Sequence, residues 1–240
     1  MEERVAQADL APFTSLKGEF EAEGLSREDL AAEVAWAGRR GIDYLCKIGG
    51  CEAKSDLLFL ERLGVTSVVA PMIESAFAMS KYMDALPGDH FQHIGVTIET
   101  EGAVERIEAI LDAGRRLTNV TLGRSDLTAS FGGSGVDGER TMVMVRTVAH
   151  AAKTRGLEVT MGGGVNARTR DLLRGDADLA DLIACVETRK VVIPVPAFLE
   201  DGVLERAIGI ELDLLDLHSG PAGRGLDKAR ARADQIRSRL

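Results

Sequence analysis

The chain alternates short apolar runs rich in β-branched residues with segments of helical period. That rhythm predicts parallel strands joined by crossover helices. Seven runs read as strands: LKGEFEAEG (16–24), DYLCKIGG (43–50), SVVAPMIES (67–75), HIGVTIET (93–100), NVTLGRSD (119–126), LEVTMGGG (157–164) and LIACVETR (182–189). Between them lie helices such as SREDLAAEVAWAGRRG, where Ser26 is placed to cap the N-terminus and acidic residues fill the first turn. The expected fold class is α/β, a TIM-type (β/α) barrel with an incomplete or modified first strand. An eighth strand is not evident; it is missing or lies in the short N-terminal piece.

The charged positions sharpen this picture. Lys47, Glu74, Glu99, Asp126 and Arg189 all fall at or near the C-terminal end of an expected strand, the rim where barrel enzymes build their sites. Alternation within HIGVTIET puts Gly95, Thr97 and Glu99 on one face and Val96 and Ile98 on the other, so Glu99 points inward. Two carboxylates from neighbouring strands, Glu99 and Asp126, repel unless a cation sits between them. Oxygen-only ligation suits Mg²⁺ or Mn²⁺ better than Zn²⁺. The alternative is a structural ion pair with Arg124 or Lys47.

Composition narrows the function classes. With 240 residues, 45% of them hydrophobic, the chain can bury a substantial core. Its net charge of -9 and pI near 5.1 argue against a nucleic-acid partner, which needs a basic face, and favour small molecules. Cys46, Cys51 and Cys185 lack paired spacing and read as buried thiols of a reducing compartment. The opening MEERVAQADLAPF resembles neither a signal peptide nor a membrane anchor, so a cytoplasmic protein without membrane contact is expected.

GVTIETEGAVERIEAIL, followed by VTLGRSDLTASFG, resembles the HpcH/HpaI aldolase and citrate lyase β-subunit family of the phosphoenolpyruvate/pyruvate barrel superfamily. KIGGCEAKSDLLFLERLGVTSVVAPMIESAFAM is similar to the same family's preceding strand-helix-strand unit, and the resemblance covers roughly residues 16–200. It implies a divalent metal held by Glu99 and Asp126, and a 2-keto acid of the pyruvate or oxaloacetate type as substrate. The implied reaction is carbon–carbon bond cleavage, or the reverse condensation, through a metal-stabilised enolate. The turn of Gly123, Arg124, Ser125 and Asp126, together with Glu74, is expected to bind the substrate, with the Ser125 and Asp126 amides on its carboxylate. Lys47 stands where the family carries an arginine facing the enolate oxygen.

LKGEF at 16–20 matches the family's D-G-E-H motif with Lys17 for the Asp and Phe20 for the His, so the usual base is absent. His90, His93, His150 and His218 are not placed to replace it. Glu19 or Glu21 is expected to take over proton transfer. The TMGGGVNA run (160–167) reads either as an anion cradle or as backbone relief, and Glu187 and Arg189 either reach the pocket or pair with each other. The chain divides into a barrel over 1–219 and a hinge with a C-terminal helix over 220–240, solvated or bridging subunits of a homo-oligomer, trimer or hexamer. Two alternatives to the metal-dependent lyase stand: a non-catalytic relative that binds a ligand or partner, and a Schiff-base lyase using Lys47 or Lys17.

Overall fold

A computed structural model describes residues 10–20, 23–218, 233–235 and 237–239, with the side chains of Asp216 and His218 left aside. Eight strands close into one barrel in sequence order: β1 Ser15–Glu19, β2 Asp43–Lys47, β3 Ser67–Ala70, β4 His93–Ile98, β5 Asn119–Gly123, β6 Glu158–Gly162, β7 Cys185–Glu187 and β8 Val191–Pro194. Neighbours from β1 to β7 are parallel. β8 is antiparallel to both β7 and β1.

The missing eighth strand is therefore VVIP, joined to β7 by a tight turn in which the Thr188 amide donates to the Val191 carbonyl at 2.9 Å. The sequence hid it because ETRKVVIP carries no helix between the two strands. The first strand is also shorter than expected, ending at Glu19, so the inward alternation of Lys17 and Glu19 does not continue to Glu23. Glu23 instead pairs with Lys190 and lies 3.6 Å from Arg189.

Residues on the outward faces of the strands, among them Val68, Ile94, Val96, Ile98, Val120, Leu122 and Val159, are buried beneath the helices. Inside the barrel Leu45, Val69 and Val192 form a small separate apolar layer. Asn119 and Thr160 hydrogen-bond beside it at 3.0 Å, so the polar atoms under the cavity are satisfied. The helices start where short polar side chains cap them: Ser26 accepts from the Asp29 amide, Ser75 from Ala78, Thr100 from Ala103, and Asn166 forms a capping box with Thr169. Ser75, Thr100 and Asn166 each follow a parallel strand, so these caps fix the geometry of the rim.

The β7–β8 turn is anchored from outside the barrel. Lys190 reaches Glu33 in the helix Arg27–Gly38 at 2.7 Å, and Glu33 also accepts from the Tyr44 hydroxyl. Gly18 permits this, because a Cβ there would lie 1.9 Å from the Tyr44 oxygen. Among the described residues no helix is long and apolar enough to cross a membrane.

Candidate active site

A cavity of about 290 Å³ opens at the C-terminal ends of the strands. Lys17 and Glu19 of β1, Lys47 of β2, Thr97 of β4 and Glu99 just beyond it line one side. Gly123, Ser125 and Asp126 continue the wall from β5, and Glu187, Thr188 and Arg189 line it from the β7–β8 turn. Glu99 and Asp126, taken from the sequence as one site, do share it.

A ladder of alternating charge crosses the cavity floor. Lys17 Nζ lies 2.7 Å from both Glu187 Oε1 and Glu19 Oε1, and Lys47 Nζ lies 3.8 Å from Glu19 Oε2 and 3.9 Å from Glu99 Oε2. Burial disfavours the Lys17 ammonium, but Glu187 and Glu19 outweigh it and hold the pKa above the ordinary lysine range. Burial likewise opposes ionisation of Glu19, yet Lys17 and Lys47 bring its pKa down to about 2. Glu19 is thus held as an anion between the two lysines, which weighs against the role of base expected for it. Glu21, the other expected base, lies outside the described residues.

Glu99 behaves differently. Burial raises its pKa and the nearby Asp126 adds to the rise, while Lys47 and a 3.0 Å hydrogen bond from the Met72 amide to Oε1 oppose it. Its carboxylate lies over Gly123, where a Cβ would come within 2.6 Å of Oε2. Two hard oxygen donors at the ends of adjacent strands, one of them buried, fit a divalent cation. Among the described residues no group of three or more His, Cys, Asp or Glu side chains converges. Glu99 and Asp126 would leave most of a six-coordinate shell to water or substrate oxygens, the usual habit of Mg²⁺.

Other expected residues fall elsewhere. The Arg124 side chain is fully buried and donates to the Gly162 carbonyl, Asp137 and Thr169, tying the helix Arg124–Ser130 to the next strand rather than meeting a substrate. Glu74 is exposed and accepts from the Thr100 hydroxyl at 2.8 Å, outside the cavity wall. Glu187 and Arg189 both line the cavity but pair with Lys17 and Glu23, not with each other.

The glycine run serves close approach. A Cβ on Gly162 would strike Glu187 at 2.8 Å, and one on Gly163 (φ +74) would come within 2.5 Å of the Ser125 amide nitrogen. Thr97, Thr188, Gln235 and Arg239 also line the cavity and were not singled out in the sequence. Thr97 alone carried a signal, two positions before Glu99 on the inward face.

A family model described as HpcH/HpaI aldolase/citrate lyase matches residues 52–178, just over half of the chain. Among solved structures, an HpcH/HpaI aldolase from Desulfitobacterium hafniense DCB-2 is 18% identical, with a TM-score of 0.60 over 70% of this chain and 75% of that one. An HpcH/HpaI aldolase/citrate lyase family protein from Burkholderia cenocepacia J2315 is 17% identical, with a TM-score of 0.61 over 70% and 78%. Macrophomate synthase is 14% identical, with a TM-score of 0.60 over 75% and 72%. At these identities the structures bear on the fold. No curated protein matches the chain.

Proposed function

We propose, because this chain belongs to the HpcH/HpaI aldolase/citrate lyase family, that it makes or breaks a carbon–carbon bond beside the carbonyl of a 2-keto acid of the pyruvate or oxaloacetate type, with Mg²⁺ or Mn²⁺ as cofactor. The observation that carries the reading is the meeting of Glu99, Asp126 and Lys47 in one small cavity, with Gly123 leaving room for the Glu99 carboxylate. Glu99 and Asp126 would hold the cation, which would act as a Lewis acid toward negative charge developing on a substrate oxygen. Lys47 supplies positive charge 3.9 Å from Glu99 in the same cavity. Glu19, itself fixed by Lys17, positions that ammonium.

Ser125 and Asp126 open the helix that follows β5, and their backbone amides are the groups we assign to the keto acid's carboxylate. Lys17 does not suit a Schiff-base role, because its ion pairs keep it an ammonium with no lone pair for attack.

The test is incubation with pyruvate in D₂O with Mg²⁺ or Mn²⁺, following loss of the methyl proton signal by NMR. Wild type should exchange. Asp126→Asn should stop exchange and weaken Mn²⁺ binding while the circular dichroism spectrum is retained. Unaltered Mn²⁺ affinity in that variant would remove the proposed metal site, and tight Mn²⁺ binding without exchange in wild type would favour the non-catalytic alternative.

A further inference from the structure

The last described residues return to the cavity. Gln235 and Arg239 line it beside Arg189. Arg239 is held by one carboxylate on the helix Val203–His218: its Nη1 donates to Glu211 Oε1 at 3.1 Å, and Nη2 lies 2.9 Å from Oε2. The Glu211 side chain is 0% exposed, and its Oε1 also accepts the Arg189 backbone N–H at 2.9 Å.

A carboxylate withdrawn from water is costly unless a cation and hydrogen bonds meet it, and a guanidinium fork meets both oxygens at once. Glu211 therefore joins three parts of the chain at one point: the final barrel helix, the turn that carries Arg189 into the cavity, and the C-terminal segment. The sequence LDKARARADQIRSRL reads as a solvated or bridging helix, yet Arg239 is an internal partner of the barrel.

From this we infer that Gln235 and Arg239, the latter positioned by Glu211, are specificity-determining residues of the site, which disfavour a keto acid carrying a long apolar chain beyond its carbonyl. The inference rests on the proposed function. A volume of about 290 Å³ lies at the low end for small-molecule sites, and the wall these residues add is polar throughout. A long apolar chain on the keto acid would desolvate that wall without pairing it.

Two readouts test the inference in the full chain. Hydrogen exchange without substrate reports docking: Arg239→Ala should speed exchange at the amides of residues 233–239 at least tenfold, and Arg239→Lys should restore part of the protection. Proton-exchange kinetics with pyruvate and with 2-oxohexanoate report selectivity. The ratio of their KM values should fall at least tenfold toward the longer acid in Arg239→Ala.

Because Arg239→Ala strands a buried charge, the double variant Glu211→Gln/Arg239→Ala serves as the folded control and should show the same two changes. Unaltered hydrogen exchange at 233–239, or faster exchange with an unaltered KM ratio, overturns the inference alone. A wild-type protein that exchanges protons with no keto acid overturns the proposed function and this inference with it.

Discussion

The Met72 amide donates to Glu99 Oε1 at 3.0 Å from a backbone held at φ 52, the left-handed region that residues other than glycine rarely adopt. No other described non-glycine residue has a positive φ. The strain coincides with the carboxylate it orients, as strained backbone at functional sites tends to do. Met72→Gly keeps the N–H and relieves the strain, so urea unfolding should show a stability gain of up to about 1 kcal/mol, less the entropy glycine costs, with Mn²⁺ affinity kept. Met72→Val should cost about 1–2 kcal/mol and weaken Mn²⁺ binding, since a branched Cβ tolerates that conformation worst. Equal stability of the two variants would show that the conformation is not strained.

Two glycines separate site geometry from fold. At Gly123 the backbone is ordinary (φ -83), and the nearest atoms a Cβ would meet belong to the Glu99 and Thr97 side chains, at 2.6 and 3.2 Å. Gly123→Ala should therefore fold but swing Glu99 aside, lowering Mn²⁺ affinity by about tenfold, in line with the loss of an orienting contact at a metal site. At Gly163 the obstacle is the backbone of Arg124 and Ser125 and φ is +74, so Gly163→Ala should cost about 2–5 kcal/mol of stability. Titration calorimetry on one variant and chemical denaturation on the other check the pair.

Much of the barrel was legible because β2 to β6 are each followed by a helix, so that strand and helix patterns alternate along the chain. β8 was not, since VVIP follows β7 without a helix and reads as more of the same run. Strand-end position pointed to Glu99, Asp126 and Lys47, which line the cavity, but equally to Glu74, which does not, and the roles expected of the three came from the family resemblance. Arg124 could not, because the start of a helix says nothing about which way a long side chain turns, and here it turns into the core. The Lys17–Glu187 pair spans 170 residues and exists because β8 closes the sheet onto β1. Pairing of that kind follows from ring closure, not from local pattern.

Glu19 gives a pH signature with a definite sign. Its pKa falls from 4.5 to about 2 on folding, so the unfolded chain binds more protons between those values. Stability from this group is full above pH 4.5 and drains away as the pH falls toward 2. Glu19→Gln lacks that titration. Between pH 5 and pH 2 wild type should lose on the order of 3 kcal/mol more than the variant, measured as the difference in urea unfolding free energies. Parallel pH profiles would mean that Glu19 is not held as an anion by Lys17 and Lys47.

Lys47 and Lys17 share Glu19 but at different range, and the difference assigns their roles. Lys17 sits at 2.7 Å from two carboxylates, within hydrogen-bonding distance of both, whereas Lys47 stays 3.8 and 3.9 Å from its two, near enough for attraction but beyond a hydrogen bond. The Lys47 ammonium is thus held in place while its donors remain able to meet an incoming oxygen. Lys17→Met should act on stability, by about 3–5 kcal/mol, because it leaves Glu19 and Glu187 buried together without their cation. Lys47→Ala should act on turnover, lowering kcat/KM for pyruvate proton exchange by about 10²–10³ with little loss of stability, and Lys47→Arg should keep part of the activity because it restores the charge. Borohydride should trap no pyruvate adduct on either lysine. A trapped adduct at Lys47, located by peptide mass spectrometry, would replace the charge-stabilising role with covalent catalysis.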